Sequence, residues 1–318
     1  MATTPTTSGL SAFNLNLNDL VEEAFERCGK ELRTGYDLRT ARRSLNLLTI
    51  EWANRGINLW TVEQGQILMN TGQAIYPIPV DTIDLLDTVV RTNNGQGNNQ
   101  VDINITRISE PTYITIPNKN ANGRPIQVYI NRQSGNTSDV AATTLATGYP
   151  ISATDTTITL TNASKLPTQG FINITTLGVT ETIGYQNIVG NQILNAWRAQ
   201  NGTVAAPHSA GDSVFTNNLP CINVWPTPNS PGNQYTFVYY RLRRMQDAGN
   251  GSNIEDIPFR LVTAMVAGLA YNLGMKLQGV DPMRIAALKA EYEQQYQLAA
   301  DEDREKASIR FVPRVLFY

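Results

Sequence analysis

The spacing of apolar residues predicts two amphipathic helices near the start of the chain. In the first, predicted between Asn16 and Gly29, apolar positions recur every three or four residues: Leu17, Leu20, Val21, Ala24, Phe25 and Cys28. The second is predicted from Asp37 to Arg55, and its apolar positions are Leu38, Ala41, Leu45, Leu48 and Trp52. This spacing places each set on one helix face. The short segment between the helices predicts a helical hairpin.

After the second helix, apolar and polar positions alternate, which is typical of short strands. Leu85–Arg91 and Val101–Ile108 are expected to pair around the loop between them. Val128–Ile130 and Ile222–Trp225 are expected to be neighbouring strands of one sheet, although many residues separate them. Tyr235–Leu242 is expected to extend that same sheet.

The stretch between these neighbouring strands, residues 134–218, is poor in charge and rich in alternating Thr, Ile, Val and Asn. Five short strands are predicted in it: Thr156–Leu160, Gly170–Thr175, Val179–Tyr185, Gln192–Trp197 and Asp212–Thr216. Short strands at this spacing are typical of a small sandwich or barrel. Because the flanking segments are predicted to be neighbours, we interpret residues 134–218 as an inserted all-β domain.

Two further helices are predicted towards the C-terminus. Asp256 and Pro258 form a helix-start signal. The run that follows, Leu261–Leu277, is apolar on nearly every face, which predicts a helix buried on all sides. A membrane span needs about 20 apolar residues, so no membrane association is expected of this shorter run. Asp281 and Pro282 open the last helix.

Together these elements predict an α+β protein. Its helical core has about four main helices with a small β extension, and the inserted all-β domain is sandwich-like or barrel-like. The predicted division is a flexible N-terminus (1–12), a discontinuous core (13–133 and 219–306), the inserted β domain (134–218) and a C-terminal tail (307–318).

The C-terminal tail is unusually apolar for a chain terminus. Apart from Arg314, its last eight residues are apolar, aromatic or proline, whereas free termini are commonly polar and frayed. An extended apolar segment with Arg310 and Arg314 as polar anchors suits addition to the sheet or groove of another subunit. The tail is therefore predicted to bind a partner.

Composition narrows the function classes. The 318 residues include 25 basic and 27 acidic side chains, giving a formal net charge of −2, and only 16% are charged; an average soluble domain has about 25%. This balance excludes a basic nucleic-acid binder, which needs a positive field. The charge deficit lies mainly in residues 134–218. Met1–Gly9 lacks the basic and apolar regions of a secretory signal, so we expect the protein to be made and used in a cytosol.

No catalytic, cofactor-binding or metal-binding residues are predicted. His208 is the only histidine, which rules out a two-histidine metal site, and Cys28 and Cys221 form no Cys-x-x-Cys pair. Paired carboxylates leave a glycosidase open as an alternative, with three candidate pairs: Glu22 with Glu23, Asp84 with Asp87, and Glu255 with Asp256. Each pair also has a plainer role as helix-start, capping or loop charges.

A basic edge lies along the second predicted helix. Its arginines are Arg39, Arg42, Arg43 and Arg55, and the acidic residues Glu22 and Glu23 lie on the first helix. Exposed charges of both signs suit either a solvated face or salt bridges to another subunit. We therefore interpret these six residues as candidates for inter-subunit contact rather than as phosphate readers.

Several blocks of sequence on both sides of residues 134–218 resemble the sequences of a known protein family. They are Asn14–Glu63, especially Thr34–Leu48 and Glu51–Glu63, followed by Val224–Pro228, Phe237–Tyr240, Asp256–Val262 and Ala267–Ala270. In this order, and over about half of the chain, they resemble the head-to-tail adaptor family of short-tailed bacteriophages (podoviruses). Members of that family are also called tail accessory factors or head-completion connectors.

Residues 134–218 carry a second resemblance. Glu181–Tyr185, Arg198 and Asn201–Val214 are similar to a small β module that recurs in phage virion proteins. In that module a glycine usually follows the arginine, whereas Ala199 occupies the position here. This chain therefore departs from the module at Ala199, so the resemblance does not determine the conformation of the loop after Arg198.

The first resemblance implies a structural virion protein without enzymatic activity, present as a ring of twelve copies at the head-tail junction. The ring would bind below the portal protein, lengthen the DNA channel and provide the docking platform for the tail nozzle or tail tube protein, with a tail fibre or spike as a further partner. Genomic DNA would pass through without sequence-specific binding, and assembly would occur in the bacterial cytoplasm. In that family the C-terminal segment inserts into the portal, so the implied portal-docking residues are Arg310, Phe311, Val312, Arg314, Val315, Leu316, Phe317 and Tyr318.

The charge balance agrees with a DNA conduit, because a positive lumen would hold DNA that must slide. Two alternatives stay open at the level of sequence. One is a virion adhesin or carbohydrate-binding protein that acts through the inserted β domain. The other is a peptidoglycan-cleaving glycosidase that uses one of the carboxylate pairs.

Overall fold

The computed structural model describes residues 15–57, 59–229, 235–247, 249 and 254–304. Within these ranges the protein is mixed α+β, with five α-helices and many strands in several sheets. The chain forms two compact units, one made of the residues up to Val62 and from Arg244 onward, the other of Glu63–Arg243. None of the helices in the ranges given above combines the length and apolar character needed to cross a membrane.

Four of the five helices belong to the first unit. The first two of these were predicted from apolar spacing, and the last two from helix-start signals and an apolar run. The helices are α1 (Leu17–Arg27), α2 (Gly35–Arg55), α3 (Glu110–Ile114), α4 (Val262–Gly274) and α5 (Pro282–Glu302). The exception, α3, lies in the second unit and was not predicted, because five residues are too few to show a helical repeat.

Local capping chemistry sets the ends of α1 and α2. The Asn16 side chain accepts a hydrogen bond from the backbone N–H of Asp19 (3.0 Å), and Thr34 and Asp37 form a reciprocal capping box at the start of α2. Gly56, with φ of +89°, ends α2 in the left-handed conformation. The predicted end of this helix at Arg55 is confirmed.

The first unit has one hydrophobic core, to which all four of its helices contribute. Every residue of α4 from Ala264 to Ala270 is buried, so the predicted burial on all sides holds for this part of the run, whereas Thr263, Met275 and Lys276 are exposed. Gly268 permits this close packing, since a Cβ atom there would lie 2.8 Å from the Tyr292 ring and 2.9 Å from Leu48.

The second unit is built mainly of short strands. Its first strands are β1 (Val62–Leu68), β2 (Ile75–Pro77), β3 (Thr82–Thr92), β4 (Val101–Asn104), β5 (Thr106–Ile108), β6 (Asn122–Gly123) and β7 (Gln127–Asn131). β3 pairs antiparallel with β4, with Val90 opposite Ile103, as predicted for these segments. The predicted strand Val101–Ile108 is divided, because its second half, β5, pairs with β7 in a different sheet.

Residues 134–218 contain the next nine strands. They are β8 (Asn136–Thr137), β9 (Thr143–Thr144), β10 (Ile158–Thr159), β11 (Gly170–Thr176), β12 (Val179–Tyr185), β13 (Asn187–Val189), β14 (Gln192–Leu194), β15 (Trp197–Gln200) and β16 (Ser213–Asn218). The larger sheet has the order β15-β12-β11-β16-β8, with β9 also paired to β16, and the smaller has the order β10-β14-β13. Ile172 and Ile183 of the larger sheet share one core with Ile158 and Ile193 of the smaller one.

The second unit ends with β17 (Cys221–Trp225), β18 (Thr227–Pro228) and β19 (Tyr235–Arg243). β17 pairs antiparallel with β7, so the segments on either side of residues 134–218 are neighbours in one sheet, as predicted. The order of that sheet is β2-β17-β7-β5.

The prediction that Tyr235–Leu242 extends this sheet is wrong. β19 lies between β1 and β3 in a separate four-stranded sheet of order β1-β19-β3-β4. Phe237 and Tyr239 pack in one core with Val128 and Ile222 of the other sheet. Residues 236–239 of β19 are buried on both faces of the strand, and an apolar pattern of this kind does not determine which strand lies beside it.

Candidate assembly surfaces

The predicted basic edge lies on the solvent side of α2. Arg39 and Arg43 are exposed and Arg42 is half-buried, and together they border an open groove. Arg39 donates a hydrogen bond to the Gly35 carbonyl (3.3 Å), and Arg43 donates one to the Thr40 hydroxyl (3.4 Å). Within the described ranges none of these three arginines forms an ion pair, so no described carboxylate neutralises their positive charges.

Exposed apolar residues interrupt this basic edge. Tyr36, Leu47 and Ile50 are 65%, 61% and 56% exposed. With Arg39 and Arg43 they follow one another at intervals of three or four residues, which places all five on one helix face. We call these five residues the α2 stripe. An exposed set of large apolar side chains beside unneutralised charges is typical of a protein contact surface.

A groove between α1 and the start of α4 has the opposite charge. Its apolar lining residues are Leu15, Phe259, Val262 and Val266, and its acidic ones are Asp19, Glu22, Glu23 and Glu26. The acidic residues lie on one face of α1 because they are spaced by three and four residues. We call this surface the α1-α4 groove. It combines an apolar floor with a negatively charged rim.

Arg55, another predicted inter-subunit residue, is engaged within its own chain. It forms ion pairs with Glu51 (2.7 Å) and Glu293 (3.2 Å). Its guanidinium also lies over the Tyr296 ring, 4.5 Å from the ring centre, a favourable cation-π geometry. The hydrogen bond with Glu293 raises the pKa of Arg55. Arg55 therefore ties the end of α2 to α5.

The two acidic residues of α1 that were predicted for inter-subunit contact differ in whether they are paired within their own chain. Glu23 pairs with Arg27 (2.9 Å), and Arg27 also reaches Glu291 on α5 (2.7 Å). Glu22 is exposed and has no ion-pair partner in the described part of the chain. Of the two, Glu22 is the one whose charge is available to a partner.

The predicted portal-docking residues fall within residues 310–318, which lie outside the described residues. The predicted flexible segment 1–12 also lies outside them. The docking of the C-terminal tail on the portal therefore stays a prediction.

The residues that resemble the phage β module include a buried ion cluster inside residues 134–218. Glu181 on β12 is fully buried and forms a two-pronged ion pair with Arg198 on β15, at 2.6 Å and 2.7 Å. Its carboxylate also accepts backbone N–H bonds from Ala199 and Ala206, each 3.0 Å, and lies 3.0 Å from His208 Nε2. Burial alone would raise the pKa of Glu181, but these hydrogen bonds outweigh it and lower the pKa to about 2.

Arg198 and His208 extend this cluster to the surrounding loops. Arg198 donates to two backbone carbonyls in residues 152–155, at 2.6 Å and 2.9 Å. His208 Nδ1 lies 2.7 Å from the Thr176 hydroxyl, which donates to Asp212. His208 is buried. The cluster fastens several loops to β12.

The conformation of Ala199 explains where the chain departs from the β module. Its φ is +53°, in the left-handed region that favours glycine over residues with a side chain. The N–H of Ala199 donates to Glu181, so the ion cluster imposes this conformation. A glycine at this position would adopt the same conformation without strain.

The carboxylates Asp84 and Asp87 differ in their surroundings. Asp84 is ion-paired with both Arg107 (2.8 Å) and Arg132 (2.9 Å). Asp87 is exposed on β3. Asp84 therefore has a structural role as an anchor for two arginines.

The third carboxylate pair includes Glu255, whose pKa is strongly raised. Nothing in the sequence indicated this shift. Glu255 is only 7% exposed. Burial, together with the negative charges of Asp247 and Asp256, raises the pKa of Glu255 to about 7. A pKa in this range is found in general acids, whereas Glu255 is almost fully enclosed by the surrounding residues.

Comparison with known proteins identifies the family. The profile of the family described as SU10 adaptor protein matches residues 127–314, which is more than half of the chain. The match begins at β7, includes residues 134–218 and extends past α5, whereas α1 and α2 precede it. No curated protein matches the chain. The chain therefore belongs to the SU10 adaptor protein family and is a phage head-tail adaptor-type protein.

Proposed function

We propose that the protein is a structural virion component that forms a ring at the head-tail junction of a short-tailed phage. The ring binds below the portal, lengthens the DNA channel and provides the docking platform for the tail nozzle. The match of residues 127–314 to the SU10 adaptor family carries this proposal. An adaptor must contact several partners, and the exposed surfaces of the first unit supply candidates for these contacts.

Self-assembly is assigned to the first unit. Arg39, Arg42, Arg43 and Glu22 have no ion-pair partners in the described ranges, so their charges are available to another copy. Arg55 and Glu23 support these surfaces indirectly, because both are engaged in ion pairs of their own unit. The copy number of twelve rests on the resemblance to podoviral adaptors.

Portal docking is assigned to the C-terminal tail. Its apolar and aromatic residues follow the charged end of α5, and Arg310 and Arg314 supply polar anchors. A net charge of −2 supports passage of DNA through the ring, because a weakly negative wall does not retain phosphates.

Residues 134–218 are assigned to an inserted β module carried by the core of about four helices and a small sheet. Two observations support this. Strands β7 and β17, which bracket the module, are direct neighbours, and the two sheets of the module share their own hydrophobic core. A folded insertion between neighbouring strands bulges from the body and is free to face outward.

Electron microscopy of the protein mixed with its portal protein tests this function. We expect closed rings stacked coaxially on the portal.

A chain truncated after Lys306 should keep its thermal stability but lose portal binding, because it lacks the apolar tail. Normal portal binding by the truncated chain would disprove the docking role, and an absence of rings with the intact chain would disprove the adaptor function.

A further inference from the structure

The first unit presents two complementary surfaces at different places. The α2 stripe displays three apolar side chains, each more than half exposed, in line with Arg39 and Arg43. The α1-α4 groove presents an apolar floor, including Phe259, which is 65% exposed. Its rim is acidic. The stripe and the groove therefore match in both apolarity and charge.

The negative charge of the groove is available to a partner. Its one lining cation, Arg27, is already neutralised by Glu23 and Glu291. Glu22 and Glu26 are exposed one turn apart on α1 and have no ion-pair partners among the described residues. These carboxylates have the same spacing along α1 as Arg39 and Arg43 have along α2, so two parallel rows of opposite charge can meet.

We propose that the α2 stripe of one copy lies in the α1-α4 groove of the next copy. This is a helix-in-groove contact, in which the apolar residues of the stripe act as anchors on the groove floor. Arg39 and Arg43 pair with Glu22 and Glu26 on the rim. The apolar contact supplies affinity, and the charges fix partner and orientation.

The contact is head-to-tail, because each copy contributes a different surface to each of its two neighbours. Repetition of such a contact closes a ring or continues as a filament, depending on the rotation between copies. The inference rests on the proposed function, which calls for a ring, and it adds the contact that builds the ring.

Charge reversal on each surface tests the proposal. The first variant carries Arg39→Glu and Arg43→Glu, and the second carries Glu22→Arg and Glu26→Arg. Each variant places like charges opposite each other, so self-association measured by analytical ultracentrifugation should weaken by at least about a hundredfold. The altered residues are exposed, and thermal melts of the variants should match that of the unchanged protein.

Restoring assembly by combining the two charge reversals shows that these two surfaces contact each other. In an equimolar mixture, the acidic stripe of the first variant fits the basic groove of the second, and the unchanged surfaces fit each other. We therefore expect alternating assemblies from the mixture, and normal assemblies from a chain that carries all four substitutions. A control with Lys165→Glu and Lys289→Glu has the same net charge as the first variant and should assemble normally, because both lysines are exposed and line neither surface.

The outcomes separate this contact from the adaptor function. Normal assembly of either double variant, or failure of the mixture and the four-substitution chain to assemble, would overturn the contact. The adaptor function would survive that result if the unchanged protein still formed rings on the portal. If the unchanged protein neither self-associates nor binds the portal, the proposed function and the contact both fail.

Discussion

Ala199 occupies a left-handed backbone conformation because its N–H is held by the buried carboxylate of Glu181. The Ala199→Gly substitution should relieve the side-chain strain and raise the free energy of unfolding by about 0.5–1 kcal/mol. Urea denaturation measures this change. Ala205→Gly is the control, because Ala205 lies in the loop after β15 and its φ is not positive; it should destabilise by about 0.4–1 kcal/mol. Destabilisation by Ala199→Gly would contradict the inference that the Ala199 backbone is strained.

Glu255 predicts a pH dependence of stability. Its pKa is raised from 4.5 to about 7, first by burial and then by the charges of Asp247 and Asp256, and its Oε1 has no hydrogen-bond partner in the described residues. Between these pH values the folded state keeps a proton that the unfolded state has lost. The free energy of unfolding should therefore fall as the pH rises through this window, by at most about 3 kcal/mol.

The Glu255→Gln substitution should remove this pH dependence, because glutamine is neutral and similar in size. We expect the variant to match the unchanged protein near pH 4.5 and to exceed its stability at pH 8, as measured by denaturant unfolding. Glu26→Gln, at an exposed carboxylate of the same unit, should leave the pH profile unchanged. Equal stability of Glu255→Gln and the unchanged protein at pH 8 would refute the assignment.

Single residues were predictable where a local signal exists. Asn16 and Gly56 could be assigned as helix ends because capping depends only on neighbours along the chain. The ion pair between Glu181 and Arg198 could not be derived from spacing, since the two residues lie on different strands and meet only when β12 pairs with β15. The raised pKa of Glu255 likewise depends on burial by distant residues.

At the scale of elements, α4 depends on a single small residue for its fit. Gly268→Ala should lower the free energy of unfolding by about 1–3 kcal/mol, because the added Cβ would lie 2.8 Å from the Tyr292 ring. That ring cannot move easily, since the Tyr292 hydroxyl accepts a hydrogen bond from Trp52 Nε1 (3.2 Å) and donates one to Glu51 Oε1 (3.0 Å).

Gly274→Ala is the control on the same helix. A Cβ there would lie 3.4 Å from Leu288, close to ordinary contact, and alanine favours helix by about 0.8–1 kcal/mol over glycine. We expect little change or a gain in stability from this substitution. If thermal melts showed equal losses for the two alanines, close packing at Gly268 would not be the cause.

Helices were predicted more accurately than strands because the helical repeat is a local property of the chain. The predicted and observed bounds of α1, α2, α4 and α5 differ by a few residues. The partner of β19 was predicted wrongly, since the apolar pattern of a strand does not specify which strand pairs with it. The order of the sheets depends on contacts between residues far apart in sequence.

At the scale of the whole molecule, the role proposed for residues 134–218 predicts that they are dispensable for assembly. A chain in which a short linker replaces residues 134–218 should still form rings, because the pairing of β7 with β17 does not need them. Its thermal stability should fall, since Phe171 would no longer pack on Ile75, Leu219 and Cys221. Electron microscopy and thermal melts measure the two effects. A folded but monomeric deletion variant would show that the module takes part in assembly.

The surfaces proposed for assembly were only partly visible in the sequence. The basic edge of α2 follows from spacing, but the α1-α4 groove joins residues about 240 positions apart, and only the fold brings them together. Tyr36, Leu47 and Ile50 lie off the apolar stripe that predicted α2, and their exposure is set by which face of α2 the core covers.

The pairing of β7 with β17 has a consequence for engineering. Asn131 lies opposite Cys221 in this pair, so the chain leaves the sheet and returns to it about 5 Å apart, one strand spacing. A foreign domain whose own termini lie close together can be joined at such a point without stretching the sheet. This position is therefore the natural graft site for displaying a cargo protein on assembled particles.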